Sequence, residues 1–458
     1  VNQLIALNLE SDFDICRYRL ACKSTLAAVD EDGWSFWRRR FRASFEPPSW
    51  TDRGNFVYKR AYQKRRKALM YGAKFESAVG RKKPVPDEVR KGTLALEVLR
   101  DLIKDDADGD MVYESVNLAH LENFTNNHDL LNVVLFGVCR VLSDAAGLPK
   151  PLLQAVQVVL SPFLFRLDRH LQHYSFPDSQ QVVYATAETS EIFGGLHGLE
   201  IDMEWVLHHI NFWKYHMVRE AECTLFEAFS ELDVEDRPRL WDQKLKQGGN
   251  KLGVHWKGSY AYVERNVIQR IRKGQGHKSQ IPDEFAGDSQ TACFQDMRLD
   301  LVDDSIWPPL FEEHLHSLAP PENRLKTRAQ HRTTVTRSLA PFKPINFQFS
   351  GEGHDSTEAF RARGWLNALP PQQGIPGWQR MTMMKYFEDP DTGTIDEDAM
   401  WAYEGVVLPG GQIIIGRWWS PGDGRGEHMY SGPFILWCVD GPRYAGDATS
   451  QVDDDDLP

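Results

Sequence analysis

The spacing of apolar residues changes once along the chain, near residue 251, from helical periodicity to strand-like alternation. Leu4, Ile5, Leu7 and Leu9 open a first helix. A second carries Ile15, Leu20 and Cys22 behind a cap at Asp12 or Asp14. Trp34, Trp37, Phe41 and Phe45 recur at helix-like spacing, and Pro47-Pro48 stops the run. Phe56–Ala68 favours a helix, whereas Gly80–Pro86 reads as a linker. Leu94, Leu96, Val98, Leu99 and Ile103 suit a further helix, and Leu152–Leu171 and Ile201–Tyr215 suit two more. In the last of these, Trp205, Ile210, Phe212 and Trp213 miss a single stripe, yet the segment is apolar enough to be a packed helix.

From Lys251 the elements become short strands. Val254–Val263 alternates, with Val254, Trp256, Gly258, Tyr260 and Tyr262 on one face. Ala292–Val302, Ile345–Phe349, Arg380–Phe387, Met400–Leu408, Gln412–Trp419 and Pro433–Val439 continue the series. Trp401–Trp419 is the clearest hairpin, because Gly410 and Gly411 after Pro409 can supply the positive φ of a tight turn. The fold class predicted is α+β, with an antiparallel barrel or sandwich at the C-terminal end. Ser305–Pro344 is polar, charged and proline-containing, and reads as a partly disordered insertion. The expected organisation is 1–45, a helical unit; 46–90, a basic connector; 91–250, a helical domain; 251–441, the β domain; and 442–458, an acidic tail.

Composition fits a folded chain: of 458 residues, 41% are hydrophobic and 26% charged, close to globular averages. No segment reads as a membrane span. Leu130–Leu142 is broken by Asn132 and Arg140, and Leu152–Phe165 by Gln154 and Gln157; both fall short of the ~20 apolar residues required. The cysteines Cys16, Cys22, Cys139, Cys223, Cys293 and Cys438 form no CxxC pair. Reduced thiols and a cytoplasmic or nuclear location follow as expectations, and Asn123-Phe-Thr125 is then a chance sequon. Residue 1 is Val, so the natural N-terminus is expected upstream. The net charge of −12 is uneven: Arg38–Lys83 holds fifteen Lys/Arg against three Asp/Glu, and Asp453–Asp456 lies at the acidic end.

Residues 1–45 show an apolar helix at Leu4–Leu9, an acidic step at Asp12–Asp14, then Leu20-Ala21-Cys22-Lys23 and Trp37-Arg-Arg-Arg40. In this order they resemble the F-box family, and the ending Phe41…Phe45-Glu-Pro-Pro48 is similar to many fungal F-box proteins. The Leu-Pro that usually opens the motif is absent. Ile375-Pro-Gly-Trp378, Trp401-Ala-Tyr-Glu-Gly405, Gly416-Arg-Trp-Trp419 and Ser431-Gly-Pro-Phe434 are similar to stretches of fungal F-box proteins. Their order also looks like a C-terminal barrel, split by an insertion, that holds a degron in animal F-box proteins.

The resemblance implies a substrate receptor of a Skp–cullin–F-box ubiquitin ligase, not an enzyme. Leu4, Ile5, Leu7, Leu9, Ile15, Leu20, Cys22 and Trp37 would then face the Skp-type adaptor. A protein substrate would meet the β domain at Trp256, Tyr260, Trp378, Arg380, Trp401, Tyr403, Arg417 and Trp419. One of Arg380 and Arg417 is expected to meet a ligand carboxylate or the side chain of Glu404, with pairing to Glu404 the favoured reading. The competing function is a small-ligand or peptide-binding barrel whose F-box serves no ligase.

Other chemistry finds no support in the residues. There is no GxSxG, HExxH or Walker lysine loop. His208-His209 and His216 lack zinc spacing, so no metal or other cofactor is expected. Gly422-Asp-Gly424-Arg-Gly426 and Phe193-Gly194-Gly195 read as turns, not phosphate loops. The basic belt reads as a solvated, linker-like helix before a nuclear localisation patch, and nucleic-acid binding is not expected of an acidic chain.

Overall fold

A computed structural model describes residues 1–31, 33, 35–48, 53–72, 85–105, 115–128, 130–131, 147–167, 176–185, 192–195, 198–241, 244–245, 252–273, 281–285, 294–302, 307–312, 314–315, 346–355, 358–389, 392–423 and 429–441. Most of Leu130–Leu142, most of the insertion Ser305–Pro344 and the tail 442–458 lie outside them.

The chain begins with four short helices: α1 Asn2–Leu7, α2 Asp12–Ala21, α3 Lys23–Asp30 and α4 Phe36–Ser44. Their inward faces bury Ala6, Ile15, Val29, Phe36, Trp37, Phe41 and Phe45. The cap of α2 is Ser11, whose hydroxyl accepts the Asp14 amide at 3.0 Å. Asp12 is engaged elsewhere: its carboxylate accepts from the Tyr62 hydroxyl at 2.6 Å and from Arg66 Nε at 2.9 Å.

Those partners belong to α5, Asn55–Tyr71, which carries the centre of the basic belt. Tyr58, Tyr62 and Ala68 are buried. Its cations meet acids on both sides: Lys59 reaches Asp30 at 2.7 Å, Lys64 reaches Glu97 at 2.8 Å, and Arg65 reaches Asp105 at 2.6 Å. This described centre of the belt is therefore a packed, charge-matched helix and not a solvated linker. Hydrophobic contacts run through it unbroken into α6, Pro86–Lys104, and α7, Val116–Asn127.

Beyond lie α8, Lys150–Leu160, a 3₁₀ turn at Ser161–Phe165, α9, Phe176–Ala185, and α10, Met203–Val218. Pro162 breaks the apolar run, as its place in the sequence suggests, since proline cannot complete the α-helical ladder. Asp202 caps α10, accepting from the Glu204 and Trp205 amides at 3.0 and 3.1 Å. Residues 205–207 and 209–217 of α10 are all buried. A helix enclosed on every side has no polar face, which is why its apolar residues form no stripe.

The β region opens with a small hairpin, β1 Phe193–Gly194 and β2 Glu200–Ile201, followed by α11 Phe226–Glu231. Then come β3 His255–Tyr262, α12 Arg265–Arg272, β4 Glu284–Phe285, β5 Gln295–Val302 and α13 Pro309–Glu312. β6 Asn346–Asp355, β7 Glu358–Ala368, β8 Gln379–Tyr386, β9 Trp401–Val407, β10 Ile413–Trp419 and β11 Ser431–Cys438 complete it. The order β3-β5-β6-β7-β8-β9-β10-β11 closes through β11–β3 pairing, with Phe434 opposite Tyr260 and Cys438 opposite Trp256. The architecture is a closed eight-stranded antiparallel barrel, not a sandwich, and closure leaves none of these strands as a free edge. β7 went unrecognised in the sequence because charged Arg361 and Arg363 and the small Ala362 and Gly364 blur its alternation.

The β9–β10 hairpin turns at Gly410 and Gly411, with φ of 97° and 72°, as its sequence predicts. Inside the barrel Gly405 and Gly416 lie opposite each other, beneath the Phe434 ring. A Cβ at Gly416 would stand 2.5 Å from Phe434 Cε1, and one at Gly405 2.9 Å from Cζ. Of the insertion, Phe311 and Leu315 pack on the outer wall against Met384, Tyr386, Met400 and Ala402. Gly416→Ala is expected to cost about 1–3 kcal/mol by overpacking, read from the urea unfolding midpoint. An unchanged midpoint would contradict a filled barrel interior.

Candidate functional sites on the first helices and at the barrel mouth

The outer side of α1–α3 carries large apolar groups in water. Leu4 is 60% exposed, Leu20 76% and Phe13 62%, with Ile5 and Leu26 also exposed. Asn2 Nδ2 donates to Ser24 Oγ at 2.8 Å, and the Tyr18 hydroxyl donates to the Asn2 carbonyl at 3.0 Å. These bonds draw the start of α1 beside the α2–α3 corner, where Leu20 and the exposed Cys22 thiol lie. Hydrogen bonds from Thr25 at the start of α3 pull the Cys22 thiol below its ordinary pKa.

Of the eight residues expected to face a partner, Leu4, Ile5, Leu20 and Cys22 are exposed. Leu7 and Leu9 are half-buried against the core. Ile15 and Trp37 are buried, and Trp37 Nε1 donates to Asp30 at 3.2 Å, so they hold the unit together instead. Phe13 and Leu26 belong to the outer surface and were missed, since the helical pattern alone does not say which apolar residue lacks a neighbour.

At the barrel end formed by the starts of β9 and β11 and the ends of β3, β8 and β10, Tyr260, Tyr262, Lys385, Trp401, Tyr403, Trp418 and Tyr430 line a cavity of about 230 Å³. The Trp418 indole N–H donates to the Ala261 carbonyl at 3.1 Å, fixing that ring. Trp401 and Tyr430 stand edge-on to Trp418, each at 5.3 Å between centroids. Lys385 is only 1% exposed, and its ammonium lies 4.2 Å from the Phe360 ring centre and 5.3 Å from that of Tyr260. Such ring faces stabilise a cation through their quadrupoles.

Of the residues expected to meet substrate, the fold brings Tyr260, Trp401 and Tyr403 together in this cavity. Trp256 lies inside the barrel, its indole donating to the Gly253 carbonyl at 2.9 Å. It also lines a larger depression of about 690 Å³ with His255, Arg298, His354 and Arg361. Trp378 is fully buried where the barrel meets the helices and donates to the Ile375 carbonyl at 3.0 Å. Trp419 sits on the outer wall, 5.5 Å beneath the Arg417 guanidinium.

Arg380 and Arg417 also face outward and grip Glu404 at 2.7 and 3.2 Å, as their strand positions suggested. Burial pushes the Glu404 carboxyl up, but the two guanidiniums outweigh it and leave its pKa below the ordinary value. The cavity instead recruits Tyr262, Lys385, Trp418 and Tyr430. Tyr262 and Lys385 share the parity of Tyr260 and Met383, so alternation held the signal once the inward face was known.

The helical half contains a buried polar cluster. The Tyr184 hydroxyl and Gln180 Nε2 donate to Asp283 at 2.7 and 2.6 Å, and His216 Nε2 lies 3.0 Å from it. His209 is separate, with Nδ1 at 3.0 Å from the Trp205 carbonyl, and burial drives its pKa down to about 3. Among the described residues no group of three or more His, Cys, Asp or Glu could hold a metal ion. Nor is any described helix long and apolar enough to cross a membrane.

Replacing Glu404 by Gln would remove the carboxylate that both Arg380 and Arg417 hold, with an expected loss of roughly 3–5 kcal/mol near neutral pH. Because the folded-state pKa is depressed, the carboxylate's contribution is present above its ordinary value and fades as pH falls through the lower folded one. Unfolding curves of wild type and Glu404→Gln should therefore converge in acid. Parallel curves down to pH 2 would refute the assignment. No family model, curated protein or solved structure matches the chain.

Proposed function

We propose that the chain is a substrate receptor of a Skp–cullin–F-box ubiquitin ligase. Helices α1–α4 dock on a Skp-type adaptor, and the barrel presents a protein substrate. The observation that carries the reading is the exposure of Leu4, Ile5, Phe13, Leu20 and Leu26 on helices whose opposite faces are locked into the core. Apolar groups gathered on the surface of a folded protein mark an interaction site, and amphipathic helices bind partners through such faces. The resemblance of residues 1–45 to the F-box supports the choice of partner.

The ion-paired α5 supports the rest of the mechanism. A receptor works by holding its substrate at a fixed place relative to the transfer machinery, a positional contribution that a loose linker would dissipate. In this reading the chain performs no chemistry itself and acts in the cytoplasm or nucleus. A second reading, a ligand-binding barrel with no ligase role, draws on the aromatic cavity.

The test is co-purification of the tagged chain with a Skp-type adaptor. Wild type is expected to retain the adaptor. The triple variant Leu4→Asp, Ile5→Asp, Leu20→Asp is expected to lose at least tenfold, with an unaltered thermal melt because these side chains are exposed. Absence of adaptor from the wild type, or full retention by the variant, would overturn the proposal.

A further inference from the structure

A further concavity lies beside the 3₁₀ turn that follows α8. Residues 162–167 form one wall and residues 234–240 the other, around about 550 Å³. Pro238 disfavours a helical conformation at the residue before it, and Arg237 is extended, with φ −94° and ψ 157°. The walls are largely apolar. Pro162, Phe163 and Pro238 are buried, and Val234 stands at the rim, 79% exposed.

The charge in this groove has one sign. Its described lining includes Arg166, Arg237 and Arg239 and no acid. Arg166 pairs with Glu122. Arg237 and Arg239 instead meet neutral groups among the described residues. Arg237 Nη2 donates to the Ser230 and Leu232 carbonyls at 3.0 and 2.7 Å, at the end of α11. Arg239 donates to Gln412 Oε1 at 3.3 Å and to the Asp440 carbonyl. Arg237 Nε is buried with no hydrogen-bond partner among the described residues. A guanidinium has five N–H donors in a fork that matches a carboxylate. Asp233, Glu235 and Asp236 lie on the adjoining turn yet do not line the groove.

These features select the ligand. A cation would meet like charge. A nucleic acid would need ring faces on which bases stack, and Phe163 and Phe165 are only 4% and 1% exposed. A lone phosphate would leave the apolar walls bare, since about 550 Å³ is the room of roughly eighteen waters at liquid density. An extended peptide fits, because its side chains alternate between two faces. Laid beside Arg237-Pro238-Arg239, it brings acids two positions apart to the arginines and apolar side chains to the walls. The chain's own Asp453–Asp456 is the competing occupant, because the tail follows the Asp440 carbonyl that Arg239 holds. That run is acid at every position and would leave the apolar walls uncovered. We propose that this groove binds an extended segment of a partner protein in which acidic and apolar residues alternate. Arg237 and Arg239 hold the carboxylates, and Pro162, Phe163 and Leu240 receive the apolar side chains. The inference goes beyond the ligase reading and stands without it.

The test is fluorescence anisotropy of the full chain with a labelled peptide, Asp-Leu-Asp-Leu-Asp. Asn-Leu-Asn-Leu-Asn, Asp-Gly-Asp-Gly-Asp and Lys-Leu-Lys-Leu-Lys are the neutral, non-apolar and cationic controls. The acidic–apolar peptide is expected to bind saturably, about tenfold or more tightly than each control. Arg239→Gln should remove most of that preference. Val234→Asp places a carboxylate at the rim, on a side chain that is exposed, and should weaken binding about fivefold or more by like-charge repulsion. This second variant carries the test if Arg239→Gln unfolds. The proposal is overturned if the peptide does not bind, if any control binds as tightly, or if either folded variant binds like the wild type. Displacement of the peptide by equimolar inorganic phosphate would make the groove a general anion site. Binding that appears only after removal of residues 442–458 would make the chain's own tail its occupant. Either result also overturns the proposal.

Discussion

The pairing of β11 with β3 is the contact on which the rest depends. It joins the last strand of the barrel to the first, across more than 170 residues of chain, through Phe434–Tyr260 and its neighbours to Cys438–Trp256. Closure gives every barrel strand two partners and defines an inside. It places Tyr260 and Tyr262 beside Trp418 and Tyr430, which the sequence separates widely. It also makes one outer wall a surface on which α10 and the buried Trp378 can pack, so barrel and helices share a core.

Strand parity then decides the role of each side chain. Trp418 faces the mouth cavity while its neighbours Arg417 and Trp419 face outward, and the same rule separates Met381 from Arg380. The charged triad of Arg380, Glu404 and Arg417 is thereby spent on the outer wall, where mutual pairing offsets its burial. Lys385, on the inward parity, lies against the Phe360 ring among the residues that line the mouth cavity.

At the other end of the molecule the organising force is electrostatic as well as apolar. Asp12 and Asp30 on the first helices, and Glu97 and Asp105 beyond, neutralise α5 from both sides. The cations that gave the segment its basic character fix the first helices to the body. The exposed leucines of α1 and α2 are thus presented on a braced support.

The sequence by itself determined the class of the chain and most of its elements. Periodicity located α1, α2, α4, α5, α6, α8 and α10, the β9–β10 turn at Gly410-Gly411 and seven of the barrel strands, because these features depend on local backbone preference and on one residue's neighbours in the chain. It favoured Glu404 over a ligand carboxylate as the partner of one of Arg380 and Arg417, and the fold gives Glu404 to both. It could not tell barrel from sandwich, separate Trp418 from Trp419, find β7, or distinguish Ile15 from Leu20 on α2. Those outcomes rest on which strands close on each other and which helix face meets a neighbour. Such contacts join residues far apart in the chain, and only tertiary packing decides them.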